Sequence, residues 1–213
     1  MTAEPENRRP LASRNTAWAR RAARWLVACD VTPNQISQLA MVFAALGFLG
    51  FALSWLAGPL LGGILLLIAA ACCQGRLICN LLDGMVAIEG GKAAKDGPFW
   101  NEAPDRVCDI LLLCGAGVAC GSPLLGAVAA IGALATAYLR ELGRAEGIGA
   151  DFSGPMAKQH RMAVLTIGAV VAAFAPLFWD GSVLRYALGL IIVGTVITAV
   201  RRSWRIIASL KAR

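Results

Sequence analysis

The sequence contains a single histidine, His160, and its seven cysteines include no C-x-x-C pair. A lone histidine next to a loop is more often solvated than catalytic. An odd number of cysteines, most of them inside apolar segments, is typical of small buried hydrophobic side chains. The single histidine and the absence of a C-x-x-C pair argue against a zinc site, and the odd number of cysteines argues against a framework of disulfides.

Charged residues are also few, at 15% of the chain, whereas 58% of residues are hydrophobic and the mean hydropathy is +0.65. This composition is too apolar for a soluble domain and indicates an all-α polytopic membrane protein, whose spans need about 20 apolar residues each. We predict six transmembrane helices, at residues 36–56, 60–82, 105–120, 124–142, 162–178 and 183–200.

The basic residues are distributed unevenly between the predicted loops. If both termini are cytoplasmic, Arg185 is the one basic residue in a loop on the opposite side, as the positive-inside rule requires of an even number of spans. The net charge of +7 then reflects topology and attraction to anionic lipid headgroups, and basic stretches without interleaved aromatics do not favour nucleic acid. We expect a multi-pass protein of a bacterial inner membrane that contacts membrane lipids.

The first thirty residues lack the uninterrupted apolar core of a signal peptide and instead predict an amphipathic helix on the membrane surface. The segment Thr32-Pro33-Asn34-Gln35 then predicts a capping box at the start of the first span. We divide the chain into a cytoplasmic segment 1–31, a six-span domain 32–202 and a basic cytoplasmic tail 203–213. The apolar face of the amphipathic helix contains Trp18, Ala22, Trp25, Leu26 and Cys29, opposite Arg20, Arg21 and Arg24.

Polar residues at helical spacing mark the facing ends of the second and third spans. Asn80 and Asp83 share one helix face, and Asn101, Asp105 and Asp109 follow at intervals of four. If the two helices pack side by side, these side chains converge, and their oxygens suit Mg²⁺ or Mn²⁺. The pattern predicts metal-assisted transfer of a phosphorus group at the membrane surface.

This region resembles the signature of the CDP-alcohol phosphatidyltransferases, D-x2-D-G-x2-A-R-x8-G-x3-D-x3-D. The spacing is retained throughout, as Asn80-x2-Asp83-Gly84-x2-Ala87-Ile88-x8-Gly97-x3-Asn101-x3-Asp105. The resemblance covers nearly the whole chain and implies six spans, a homodimer and divalent metal. It also implies a reaction in which an alcohol attacks the β-phosphorus of a CDP-linked substrate and CMP leaves.

The resemblance implies a role for each matching residue. Asp105 would be the general base and also a metal ligand, together with Asn80, Asp83 and Asn101. The small residues would line the site of the CDP-linked substrate, namely Gly84, Ala87 and Gly97.

Three positions depart from the signature: Asn80 and Asn101 replace aspartates, and Ile88 replaces the arginine. Glu102 and Asp109 could supply the missing negative charge. Alternatively, Glu102 caps the third span and Asp109 pairs with an arginine. The candidate arginines are Arg106 and Arg76, and for Arg76 we expect either a site carboxylate as partner or extension to the membrane surface.

Further cations follow the fourth span. Arg140, Lys158 and Arg161 could bind the acceptor headgroup or a lipid phosphate, or they could serve only as positive-inside anchors. The resulting hypothesis is transfer of a phosphatidyl group from CDP-diacylglycerol to a small polar alcohol such as glycerol phosphate, inositol phosphate or serine. The alternatives are a catalytically silent lipid-binding homologue and a small cation-linked transporter.

Overall fold

The computed structural model describes residues 16–92, 95–174 and 182–213. These residues form α-helices and no strands, as the composition predicts. In chain order the helices are α1 (Ala17–Ala28), α2 (Pro33–Ser54), α3 (Pro59–Glu89), α4 (Gly97–Ala119), α5 (Pro123–Ala145), α6 (Lys158–Phe174) and α7 (Val183–Lys211).

Four of these helices, α2, α3, α5 and α7, are long and apolar enough to cross a membrane, which is consistent with a polytopic membrane protein. The other two predicted spans correspond to α4 and α6. Helix α4 carries Asp105, Arg106 and Asp109, and α6 has 17 residues in the described part of the chain. The predicted end of that span, 175–178, lies outside the described residues.

Two predictions about helix ends can be compared directly with the structure. The capping box is confirmed, because the Gln35 amide donates to the Thr32 side chain and the Thr32 amide donates to the Gln35 side chain. Helix α7 continues beyond the predicted span to Lys211. Most of the predicted basic tail is therefore a continuation of the last helix.

Helix α1 forms where amphipathic periodicity predicts it. Ala19 and Ala23 are buried and α1 packs against α3, whereas Trp18 and Trp25 are 49% and 64% exposed. Large aromatic side chains are therefore left on the outer surface of a helix that also exposes its arginines.

Helix α2 lies between α3 and α4, so the expected side-by-side packing of α3 and α4 is wrong. Both helices pack extensively on α2 and make few contacts with each other. Gly47 of α2 permits this arrangement, because an added Cβ would lie 2.6 Å from the Leu112 side chain of α4 and 3.2 Å from that of Cys72 on α3. The polar ends of α3 and α4 meet through side chains, with Arg76 and Asn80 of α3 reaching Asp105 and Asp109 of α4.

Helices α4 and α5 approach closely through two glycines. An added Cβ at Gly126 would lie 2.6 Å from the backbone oxygen of Leu113 and 2.9 Å from Cα of Gly117. Small residues permit this kind of close backbone approach between membrane helices.

Replacing Gly126 with alanine is expected to destabilise the protein by about 1–3 kcal/mol, because backbone atoms on both sides would have to move. The midpoint of thermal unfolding in detergent measures the effect. Gly189→Ala is the matched control, since a Cβ there meets nothing within 4 Å and alanine favours the helix by up to about 1 kcal/mol. Equal midpoints for the two variants would contradict the packing argument.

Candidate active site

Asp83 lies on α3 and is buried at 6% exposure. One carboxylate oxygen accepts a hydrogen bond from the Ser37 hydroxyl at 3.0 Å, and the other accepts from the Gly84 amide at 2.6 Å. Both donors are neutral. Among the described residues, Asp83 forms no ion pair, and so it keeps a buried negative charge that a bound cation could compensate.

Asp105 lies on α4 and is surrounded by cations. The ammonium of Lys158, on α6, donates to one carboxylate oxygen, and Arg76 of α3 lies 3.4 Å from the other. The side-chain amide nitrogen of Asn80 also donates to this carboxylate, at 3.3 Å. The amide oxygen of Asn80 is therefore the atom that could bind a metal ion. Residues of α3, α4 and α6 therefore meet at Asp105.

Asp109, one turn further along α4, has both carboxylate oxygens engaged by arginines. Arg76 donates to one oxygen at 2.8 Å and Arg161 donates to the other at 2.7 Å. All three side chains are almost completely buried. Arg76 therefore pairs with a site carboxylate and does not extend to the membrane surface. Asp109 pairs with arginines, as in the second alternative, and both of its oxygens are engaged by them rather than offered to a metal ion.

Glu102 is also paired with arginines rather than placed beside Asp83. Arg140 lies 2.5 Å from its carboxylate and Arg106 lies 3.5 Å away. Asn101 is exposed on α4, one turn before Asp105. The charge of Glu102 is thus balanced by two arginines, and this geometry does not favour the expected compensation for the missing aspartates.

The predicted substrate-lining residues lie around the ends of α3 and α4. Gly84, Ala87 and Gly97 are half-buried, and an added Cβ at Gly97 would face open space. The loop between the two helices is attached to the start of α2, where Asp96 accepts hydrogen bonds from Asn34 at 3.2 Å and 3.3 Å.

Lys92, in the loop after α3, pairs with Asp30 at 2.6 Å. The hydrogen bond and the positive charge of Lys92 lower the pKa of Asp30. Lys92 therefore links the loop after α3 to the turn between α1 and α2.

A pocket next to Asp105 is lined by five cationic side chains. It is partly open to solvent, and none of the described residues that line it is acidic. Three of the cations, Arg140, Lys158 and Arg161, are the residues predicted from the sequence to bind a headgroup. The lining also contains Arg106, Thr136, Ala137, Phe152, Ala157 and Arg202. Its composition favours an anionic ligand.

Sequence reasoning missed two residues that build this region. Arg202 of α7 is buried and donates to the backbone oxygens of Thr136 and Ser153, although its position in a basic stretch indicated only membrane anchoring. Ser37 contacts Asp83 from α2. A serine two residues after the capping box, at the start of an otherwise apolar span, was the available signal for it.

The donors available to a divalent cation are two carboxylates, Asp83 and Asp105, and the amide oxygen of Asn80. In the described part of the chain, no group of three or more histidine, cysteine, aspartate or glutamate side chains is arranged to hold a metal ion. A mixed set of carboxylate and amide oxygens still suits Mg²⁺ or Mn²⁺. Such an ion would fit best beside Asp83, whose carboxylate has only neutral hydrogen-bond donors.

The fold is shared with solved structures of phosphatidylinositol phosphate synthase from Mycobacterium tuberculosis. The form with CDP-DAG bound has 21% identity and a TM-score of 0.75, over 90% of this chain and 94% of that one. The complex with manganese and citrate has 21% identity and a TM-score of 0.74, over 88% of each chain. The apo form has 22% identity and a TM-score of 0.67, over 85% of this chain and 92% of that one.

No family profile matches the sequence, and no curated protein matches it. The chain thus shares its fold with synthases of the kind that the signature resemblance predicts.

Proposed function

We propose that the protein is a membrane phosphatidyltransferase that moves a phosphatidyl group from CDP-diacylglycerol to a small phosphorylated alcohol and releases CMP. The observation that supports this most is the contact of Asp105 with Lys158, because Lys158 also lines a pocket with four arginines. A carboxylate beside a cationic pocket suits transfer to a phosphorylated hydroxyl compound, since it could accept the hydroxyl proton while the cations hold the phosphate. The synthase with the same fold was solved with CDP-DAG bound, which supports the choice of donor.

The lining of the pocket supports a phosphorylated acceptor over serine. Arginine forks pair with phosphate oxygens in two-point contacts, and a lysine adds a compact charge. Of the alcohols considered from the sequence, glycerol phosphate and inositol phosphate carry the dianionic group that such a lining would hold. Serine carries no phosphate group for such two-point contacts.

In the proposed reaction, the acceptor hydroxyl attacks the β-phosphorus of the CDP-linked lipid and the bond to CMP breaks. Asp105 accepts the hydroxyl proton, and CMP leaves with the electron pair of the broken bond. Asp83 and the amide oxygen of Asn80 would hold a divalent cation, which would neutralise charge on the diphosphate. Lys158 and Arg76 orient the Asp105 carboxylate, because each contacts a different oxygen.

The proposal includes the six-span topology, with both termini cytoplasmic in a bacterial inner membrane. Helices α4 and α6 would be the fifth and sixth transmembrane helices, beside the four apolar ones. Helix α1 would lie in the membrane interface, anchored by its exposed tryptophans. The Arg185 side chain donates to the backbone oxygen of Cys120 at 2.9 Å. This contact lies at the end of α4 remote from Asp105, as expected if Arg185 is on the opposite side of the membrane. A homodimer remains part of the proposal on the basis of the resemblance.

The experiment is an assay of CMP release by the purified protein with labelled CDP-diacylglycerol and a panel of acceptors. We expect release with glycerol phosphate or inositol phosphate, formation of the matching lipid product, and loss of both after treatment with EDTA. Uptake of a solute without nucleotide turnover would support the transporter instead. Full activity after rigorous chelation would contradict the role of the cation.

A catalytically silent lipid-binding protein is the second candidate. It is favoured by Asn80 and Asn101, which remove two negative charges from the signature, and by the cations that already neutralise Asp105. Such a protein would retain CDP-diacylglycerol in a binding assay and release no CMP with any acceptor.

Arg140→Gln tests the assignment of the pocket to the acceptor. We expect KM for the phosphorylated acceptor to rise by about tenfold or more, because a charge-assisted hydrogen bond contributes about 1.5–3 kcal/mol, while kcat changes less. Arg144→Gln is the matched control, since Arg144 lies one turn further along α5 and also pairs with Glu141 but does not line the pocket. Equal KM values for the two variants would contradict the assignment.

A further inference from the structure

Two of the three buried aspartates at this site are paired with cations of the protein. Asp109 is bound by two arginines, and Asp105 forms ion pairs with Lys158, Arg76 and Arg106. Asp83 has only neutral hydrogen-bond donors. A divalent cation at Asp83 would therefore meet a carboxylate without an ion-pair partner, whereas one at Asp105 would meet an ammonium already in place.

Lys158 occupies the side of Asp105 that opens toward the cationic pocket. Its ammonium contacts the Asp105 carboxylate, and its side chain is only 10% exposed. Arg76 takes the opposite oxygen. Each carboxylate oxygen of Asp105 therefore already faces a cation of the protein, whereas Asp83 is held only by neutral donors.

We propose that this chain binds one divalent cation, at Asp83 and Asn80, and that the ammonium of Lys158 supplies the positive charge on the Asp105 side of the site. The inference rests on the proposed function and deepens it, because one positive group of the site would be a metal ion and the other a lysine of the protein. A fixed ammonium in a site with little water stabilises negative charge that develops on a phosphate nearby. The asparagines at positions 80 and 101 fit this division, because fewer negative charges are needed to hold one ion than two.

The test is the number of Mn²⁺ ions bound per chain. Full-length protein in detergent is stripped with EDTA, equilibrated by dialysis against Mn²⁺, and analysed by electron paramagnetic resonance and elemental analysis. Wild-type protein is expected to saturate at one ion. Asn101→Asp alone is expected to remain at one ion, because Lys158 still occupies Asp105.

The double variant Lys158→Met/Asn101→Asp is expected to saturate at two ions, since it frees Asp105 and adds a carboxylate one turn before it on α4. Lys211→Met/Asn101→Asp is the matched control, because it removes an exposed lysine and has the same net charge, and we expect it to bind one ion. Lys158→Gln/Asn101→Asp repeats the test with a polar residue in case methionine impairs folding, which the melting temperature monitors.

Two ions or none in the wild type, or one ion in both folded Lys158 double variants, would overturn the inference. The result is separate from that of the CMP assay. A wild-type protein that binds two ions and releases CMP refutes the inference and leaves the proposed function intact. A protein that binds one ion and releases no CMP with any acceptor refutes the proposed function instead.

Discussion

Replacement of Asp105 with asparagine is expected to lower the rate of CMP release by about 10²–10⁴-fold, the usual contribution of a positioned general base. The change is nearly isosteric, but the amide cannot accept the hydroxyl proton. It also leaves Lys158 without the carboxylate that it contacts. Single-turnover release of CMP from labelled CDP-diacylglycerol measures the effect, and binding of the donor should persist.

Glu146→Gln is the control for this measurement, because Glu146 is an exposed acid at the end of α5. Normal release in Asp105→Asn would contradict the assignment of the base. Asp109 would not be a ready substitute, since both of its oxygens accept hydrogen bonds from buried arginines.

Replacement of Asp109 with asparagine is expected to destabilise the protein by about 3–5 kcal/mol, the cost of breaking a buried ion pair from one side. Arg76 and Arg161 would each lose the carboxylate that compensates their buried charge. Because these arginines belong to α3 and α6, the contact between three helices would weaken. The free energy of unfolding in detergent measures the loss.

Asp151→Asn is the matched control, since Asp151 pairs with an arginine, Arg205, at the surface. Exposed pairs contribute about 1 kcal/mol or less. If Asp109→Asn kept its stability but needed more Mn²⁺ for activity, Asp109 would be a metal ligand rather than a partner of the two arginines.

Much of the fold is local and could therefore be predicted from the sequence. The capping box at Thr32 depends on four consecutive residues, and helix α1 depends on the period of its apolar side chains. The polar residues at the ends of α3 and α4 could be located for the same reason, because side chains three and four residues apart share a helix face. Hydropathy identified the apolar helices but did not predict where they end. Helices α3 and α7 both continue beyond the apolar segments that were predicted to span the membrane.

Which of those polar side chains meet one another depended on packing. Adjacent helices in sequence were expected to be neighbours, but α2 separates the bodies of α3 and α4, with Gly47 allowing the close approach. Arg76 of α3 reaches Asp105 on α4, and Lys158 approaches the same carboxylate from α6. No local pattern encodes that arrangement.

The sequence by itself determined an all-helical apolar chain, its capped first span and the spacing of Asp83 and Asp105, because helix periodicity and hydrophobicity are properties of neighbouring residues. Only the tertiary structure decided which charges are compensated. Arg161 reaches Asp109 from α6 and Arg202 enters the pocket from α7. Burial then makes each pairing obligatory, since an unpaired charge there is costly. A basic residue that looks like a membrane anchor in the sequence thus becomes part of the site when the helices pack.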